Sequence, residues 1–263
     1  MASAVRHRRV FLWLLGALSA LAWLALWAWA ASPYGRYLEH GDWTGDGPAA
    51  ALCRAIPGGT LLLPPLLHGL AWIVMIAAMM LPTTLPLLDA FARLISARAD
   101  RHRLLLLLGL GYVASWGGFG VLAHAMHAVA LAAVDQVPLL ARHVWLVGAF
   151  TIATAGAFQF SSLKRRCLDK CRTPLSFVIE HWRGQHNAWQ AFLLGAHHGL
   201  FCVGCCWALM LLMFIVGMGN LGWMLVLAAL MAIEKNVSWG PRIGAPLGWL
   251  LLGWAGLLVA SRV

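Results

Sequence analysis

Residues 193–217 read LLGAHHGLFCVGCCWALMLLMFIVG, an apolar run with no charged side chain that still carries Cys202, Cys205, Cys206, Met210 and Met213. About 20 apolar residues carry a helix across hydrocarbon, so this run reads as a membrane span with three thiols near its middle. The rest of the chain agrees. Hydrophobic residues make up 62% of the 263, charged residues only 11%, and the mean hydropathy is +0.78, all far outside the soluble range. Six further stretches, 10–31, 66–88, 104–131, 143–160, 221–239 and 243–260, read as spans. No strand-type alternation occurs, which disfavours a β-barrel. The expected fold is all-α, a polytopic transmembrane bundle of about seven spans.

Lys and Arg set the orientation, because cytoplasmic segments hold an excess of them. With a cytoplasmic N-terminus, the inner segments collect Arg6, Arg8, Arg9, Arg93, Arg98, Arg101, Arg103, Lys164, Arg165, Arg166, Lys170, Arg172, Arg183, Lys235 and Arg242. Only Arg36, Arg54, Arg142 and Arg262 are left for the outer side. The net charge of +10 is thereby explained by topology and attraction to anionic lipid heads, without nucleic acid.

The chain is expected to divide into an N-terminal anchor span (1–31), a Gly- and Pro-rich periplasmic loop (32–65) and a six-span membrane domain (66–263). Ala28-Trp29-Ala30 resembles a signal-peptide cleavage site, but the preceding apolar run is longer than a secretory core segment, which favours an uncleaved anchor. Cys53, alone in the loop, has no evident partner.

Helical rise places Cys202 to Cys206 about 13–20 Å in from the inner face, near the bilayer midplane. Met75, Met79 and Met80 reach a similar depth from the outer face. His198, Cys202, Cys205, Cys206, Met210 and Met213 lie within an arc of about 140°, so they form a stripe. Thiolate and thioether ligands select Cu(I), zinc is a second candidate through Cys and His, and the clustered carboxylates that Mg²⁺ or Ca²⁺ would need are missing. The bland alternative is that Met and Cys merely fill space in an apolar core.

Cys167 and Cys171, one helical turn apart among Lys164, Arg165, Arg166, Lys170 and Arg172, suit a cytoplasmic metal pick-up site or a redox-active dithiol. At the outer edge His124 and His127, with His68 and His143 at similar depth, form a candidate outer site. Glu234 lies within or at the edge of the hydrocarbon. It reads as an ion-pair partner of Lys164 or His198, or as a proton acceptor, while Lys235 is expected to snorkel to the inner surface. Pro82 and Pro86 in MMLPTTLP break the second span, with Thr83 and Thr84 available to the freed backbone groups.

The ordered elements WIVMIAAMMLPTTLP (72–86), FQFSSLKRRCLDKCRTP (158–174), GLFCVGCCWALM (199–210), GMGN followed by Met224, and Glu234-Lys235 resemble a bacterial family of predicted metal-binding integral membrane proteins, some labelled copper chaperones. The resemblance implies a multi-pass protein of the bacterial inner membrane that handles copper and works with a metal donor or acceptor. The motif positions it carries over include Met75, Met79, Met80, Gln159, Lys164, Cys167, Cys171, Arg172, Cys202, Cys205, Cys206, Met210, Glu234 and Lys235. Gly219 between Met218 and Asn220 departs from the family pattern.

The resulting expectation is a Cu(I)-binding and transfer protein rather than an enzyme. Cys202, Cys205 and Cys206 hold the metal with Met75 and Met79, and Cys167 and Cys171 receive it. The lack of a phosphate-binding Gly loop argues against a primary pump. A membrane thiol-disulfide oxidoreductase using the paired cysteines is the alternative. A structural subunit with inert thiols is a third reading.

Overall fold

A computed structural model describes residues 2–32, 35, 63–184, 187–217 and 220–262. Cys53, His40 and most of the 32–65 loop lie outside the described residues, as do Met218 and Gly219. Among those described the structure is all-helical, with no strand.

Helix α1 (Ala2–Ala30) is followed by α2 (Leu63–Met79), which breaks at a 3-10 turn, Pro82–Thr84, before α3 (Leu85–Leu94) continues at 48° to it. Pro82 lacks an N–H and cannot extend the ladder. Thr83 and Thr84 turn back as the sequence suggests, their hydroxyls donating to the carbonyls of Met80 (2.8 Å) and Leu81 (2.7 Å). The long α4 (Arg101–Gln136) leads through the short α5 (Pro138–Arg142) to α6 (Trp145–Phe158). The chain then bends by 62° into α7 (Ser162–Arg172), where Ser161 caps the new helix by accepting from the Lys164 N–H. Helix α8 (Pro174–His181) precedes α9 (Asn187–Val216), α10 (Leu221–Asn236) and α11 (Gly244–Ala260).

Four of these helices are long and apolar enough to cross a membrane, or six if each bent pair is one span. Helix α10, with 16 residues, is shorter than such a span. Sequence places a span at 143–160, yet α6 covers only 14 residues, because the chain turns at Gln159 into the charged α7.

Helix α9 is the centre of the bundle and packs most extensively against α4. The reason is a seam of small residues. A methyl group added at Gly195 would collide with the Leu108 carbonyl, and one at Gly111 with the Phe192 carbonyl, so the two backbones meet where neither has a side chain. Ser115 Oγ crosses the seam to the Ala196 carbonyl at 2.8 Å. Helices α6 and α11 pair similarly, Gly156 against Gly248 and Leu252. Helix α9 ends at Gly217, whose φ of +88° is a left-handed conformation that glycine adopts without penalty.

Candidate metal centre

The bend between α6 and α7 decides the geometry, because it turns α7 back against α9 and brings Cys171 to the thiols of the central helix. Cys171 Sγ lies 4.0 Å from Cys205 Sγ, and Cys205 Sγ lies 3.8 Å from Cys206 Sγ. A disulfide needs about 2.05 Å, so none of these pairs is bonded, and all five described cysteines are free. Two thiolates on one metal at about 2.3 Å stand roughly 4 Å apart, the separation found here. On α9 itself, Cys205 and Cys206 donate back to the Cys202 carbonyl at 3.1 and 2.8 Å. Sequence spacing suggests two separate stations, Cys167 with Cys171 and the α9 thiols; the fold brings Cys171 into the second.

A cation already sits among the sulfurs. Lys235 turns inward, 7% exposed, with Nζ 2.9 Å from Cys202 Sγ and 3.6 Å from Met80 Sδ. Snorkelling of Lys235 to the inner surface is therefore not what the structure adopts; soft acceptors inside the bundle take the ammonium instead. Tyr112, from α4, completes this shell with its hydroxyl 3.0 Å from Cys202 Sγ and 3.4 Å from the Met80 carbonyl. Met80 is carried there by the break at Pro82.

At the neighbouring position, Glu234, a second buried charge is paired. Lys164, from α7, donates to Glu234 Oε1 at 2.6 Å and to the Gln159 side-chain oxygen, with the Lys164 and Glu234 side chains each 3% exposed. Of the two partners considered for Glu234, Lys164 is the one it meets. Arg172 closes the C-terminal end of α10, donating to the carbonyls of Glu234 (2.6 Å) and Val237 (2.7 Å). A guanidinium at a helix C-terminus satisfies orphan carbonyls and opposes the helix dipole. Lys164 and Arg172 thus clamp α7 to α10, with Cys167 and Cys171 between them.

The remaining candidates fall into two groups. Met75, Met79 and Met210 are buried in the same continuous core as the thiols. His198, 4% exposed, lies beside Tyr112 and Phe177, and its Nδ1 has no hydrogen-bond partner. Among the described residues no three His, Cys, Asp or Glu side chains stand at mutually metal-ligating distances, so the thiols approach one another in pairs.

A family model described as PpoB2, copper chaperone, matches residues 69–258. The chain belongs to this copper chaperone family. The family resemblance read from the motifs is thereby shown, and the matched region contains every residue of the thiol centre. No curated protein and no solved structure gives a significant match. Membership of a copper chaperone family implies copper as the metal handled and a donor or acceptor that exchanges it.

At the far end of the same helices, the rings of His68 and His124 stand 5.2 Å apart, and His127 packs on Phe214. His68, His124 and Phe214 border a largely apolar cavity of about 640 Å³ between α2, α4 and α9. His143 packs on Trp145 instead. On the α7–α8 side, Lys170 bonds Glu180 at 3.0 Å and holds that exposed carboxyl below the usual carboxylate range.

Sequence reasoning missed Tyr112 and the inward turn of Lys235. A tyrosine inside an apolar run was the available signal for the first, since a buried phenol needs a partner.

Proposed function

We propose that this chain is a multi-pass protein of the bacterial inner membrane, with seven spans and a cytoplasmic N-terminus, that receives Cu(I), holds it on an intramembrane sulfur site and passes it to an acceptor. Residues 1–31 anchor it, 32–65 form a periplasmic loop, and 66–263 form the metal-binding domain. The observation that carries this reading is the convergence of thiols from two helices, Cys171 Sγ 4.0 Å from Cys205 Sγ and Cys205 Sγ 3.8 Å from Cys206 Sγ, the α9 thiols buried in an apolar core and Cys171 partly buried against it. Soft sulfur donors in a dry site favour Cu(I) over hard cations, and zinc is the competing metal.

Cys171, Cys202, Cys205 and Cys206 are the proposed ligands. Met80 is the nearest thioether, and His198 Nδ1 is a further donor without a protein partner. Met75, Met79 and Met210 supply a polarizable lining. A thiolate in hydrocarbon requires a neighbouring cation, and Lys235 provides one before copper does. Loading of Cu(I) then keeps the site neutral when one further thiol gives up its proton as it binds the metal, and release reverses that exchange. Glu234 acts through Lys164, holding α7 and its cysteines in register.

A thiol-disulfide oxidoreductase remains the second reading, favoured by one observation: Cys171 and Cys205 sit on different helices, so a modest approach would close a disulfide. The two readings separate on anaerobic Cu(I) loading of the detergent-purified protein beside a Cys202→Ser, Cys205→Ser, Cys206→Ser variant. Near-stoichiometric copper that disappears in the variant supports the copper site. No copper in either protein, with a reducible disulfide in the wild type, overturns it in favour of the oxidoreductase.

A further inference from the structure

The thiol centre is buried, so copper must reach it through a surface. One cleft, about 530 Å³, lies between α7, α8 and α9, and its walls include Cys167, His181, His197, Leu163, Phe201 and Gly204. None of its polar residues takes part in the thiol centre.

Three features of the cleft point to a metal. His181 Nδ1 lies 2.9 Å from the Phe177 carbonyl, and a ring nitrogen facing a carbonyl must donate, which leaves the lone pair on Nε2. That is the arrangement metal-binding imidazoles adopt, one nitrogen tied to a backbone oxygen and the other available. The ring is further fixed by stacking on Phe177, centroids 4.3 Å apart. The His197 ring, on an exposed position of α9, stands 6.0 Å from it. Finally, Cys167 Sγ presses against Gly204, where any side chain would collide with it, and Gly204 directly precedes Cys205. Cys167 is thus one turn from Cys171 along α7 and lies against the residue before Cys205 on α9.

We infer that Cys167, His181 and His197 form a pick-up site for Cu(I) delivered as a small anionic thiolate complex from the cytoplasmic side, from which the metal passes by way of Cys171 to the α9 thiols. The inference rests on the proposed function above. The exposed Arg165 and Arg166, next to Cys167 in sequence, supply the positive charge that draws an anionic donor. The three side chains do not enclose a metal. That suits a transfer station, where Cu(I) is held by two soft ligands at a time and released inward. The transfer is ligand exchange without change of oxidation state. As the bond from Cu(I) to Cys167 sulfur forms, one bond from Cu(I) to the donor sulfur breaks, and the Cys167 proton leaves with the released donor thiolate.

The test measures the rate of copper uptake from Cu(I)–glutathione and the final copper content, anaerobically in detergent. Wild type is compared with His181→Ala/His197→Ala, His197→Ala alone and, as a control outside the cleft, His102→Ala at an exposed position of α4. The double variant is expected to load about tenfold more slowly to the same final copper, the lower end of what losing the outer partners of a metal site commonly costs. His197→Ala is expected to be severalfold slower, and the control unchanged. Wild-type rates in both cleft variants, with normal final copper, would overturn the pick-up site and leave the proposed function standing. Failure of the wild type itself to take copper would overturn the proposed function instead. Should the double variant not purify as a folded protein, His197→Ala decides: slower loading supports the site and an unchanged rate overturns it.

Discussion

The thiol centre and the histidine cluster at the other end of the same helices are built on opposite plans. Around the thiols nearly every polar atom is engaged: Lys235 with Cys202 and Met80, Tyr112 with Cys202, Lys164 with Gln159 and Glu234, Arg172 with the end of α10. Around His68, His124 and His127 the rings rest on one another and on Phe214, half-buried, beside an open apolar cavity. The difference follows from burial. Charges withdrawn from water must be paired, and pairing ties helices together. The thiol end should therefore be costly to disturb and the histidine end tolerant.

Glu234→Ala puts this contrast under the greatest strain, since it leaves the Lys164 ammonium buried with only Gln159 as a side-chain partner. A loss of about 3–5 kcal/mol is expected from denaturant unfolding in detergent. The paired change Lys164→Met with Glu234→Leu, which removes both charges, should recover most of it. A Glu234→Ala protein as stable as wild type would erase the contrast.

Arg172→Ala is expected to have a smaller effect, about 1–2 kcal/mol, by freeing carbonyls at the end of α10 and loosening the clamp on α7. Amide exchange across 162–172 should quicken, while α9 stays protected. Equal protection of α7 in variant and wild type would contradict the clamp.

Least of all should come from His124→Ala, with under about 1 kcal/mol lost and the copper content unchanged. Loss of copper on this change would move the principal site to the histidine end.

The all-helical fold and the Pro82 break were legible in the sequence, because long apolar runs and prolines are local signals, whereas seven spans were expected and four helices, or six with each bent pair taken as one, are long and apolar enough among the described residues. The thiol stripe on α9 was equally readable from spacing. What could not be read was the partnership across helices. Cys171 looked like half of a surface dithiol because, although Ser161 marks a helix start, nothing local says that the 62° turn at 159–161 lays α7 against α9. Lys235 looked like a snorkelling side chain because its acceptors, Cys202 and Met80, are 33 and 155 residues away in the chain. Arg172 looked like one basic residue among many until the end of α10 arrived beside it. In each case the deciding group lies on another helix, and one sequence does not say which helices meet.

The most direct test of a single sulfur site built from two helices is X-ray absorption at the copper edge of the Cu(I)-loaded protein, wild type beside Cys171→Ser. The expected wild-type spectrum is a shell of sulfur scatterers, with one sulfur lost or replaced by a lighter atom in the variant. An unchanged sulfur shell in Cys171→Ser, or a wild-type shell made of nitrogen, would contradict the account.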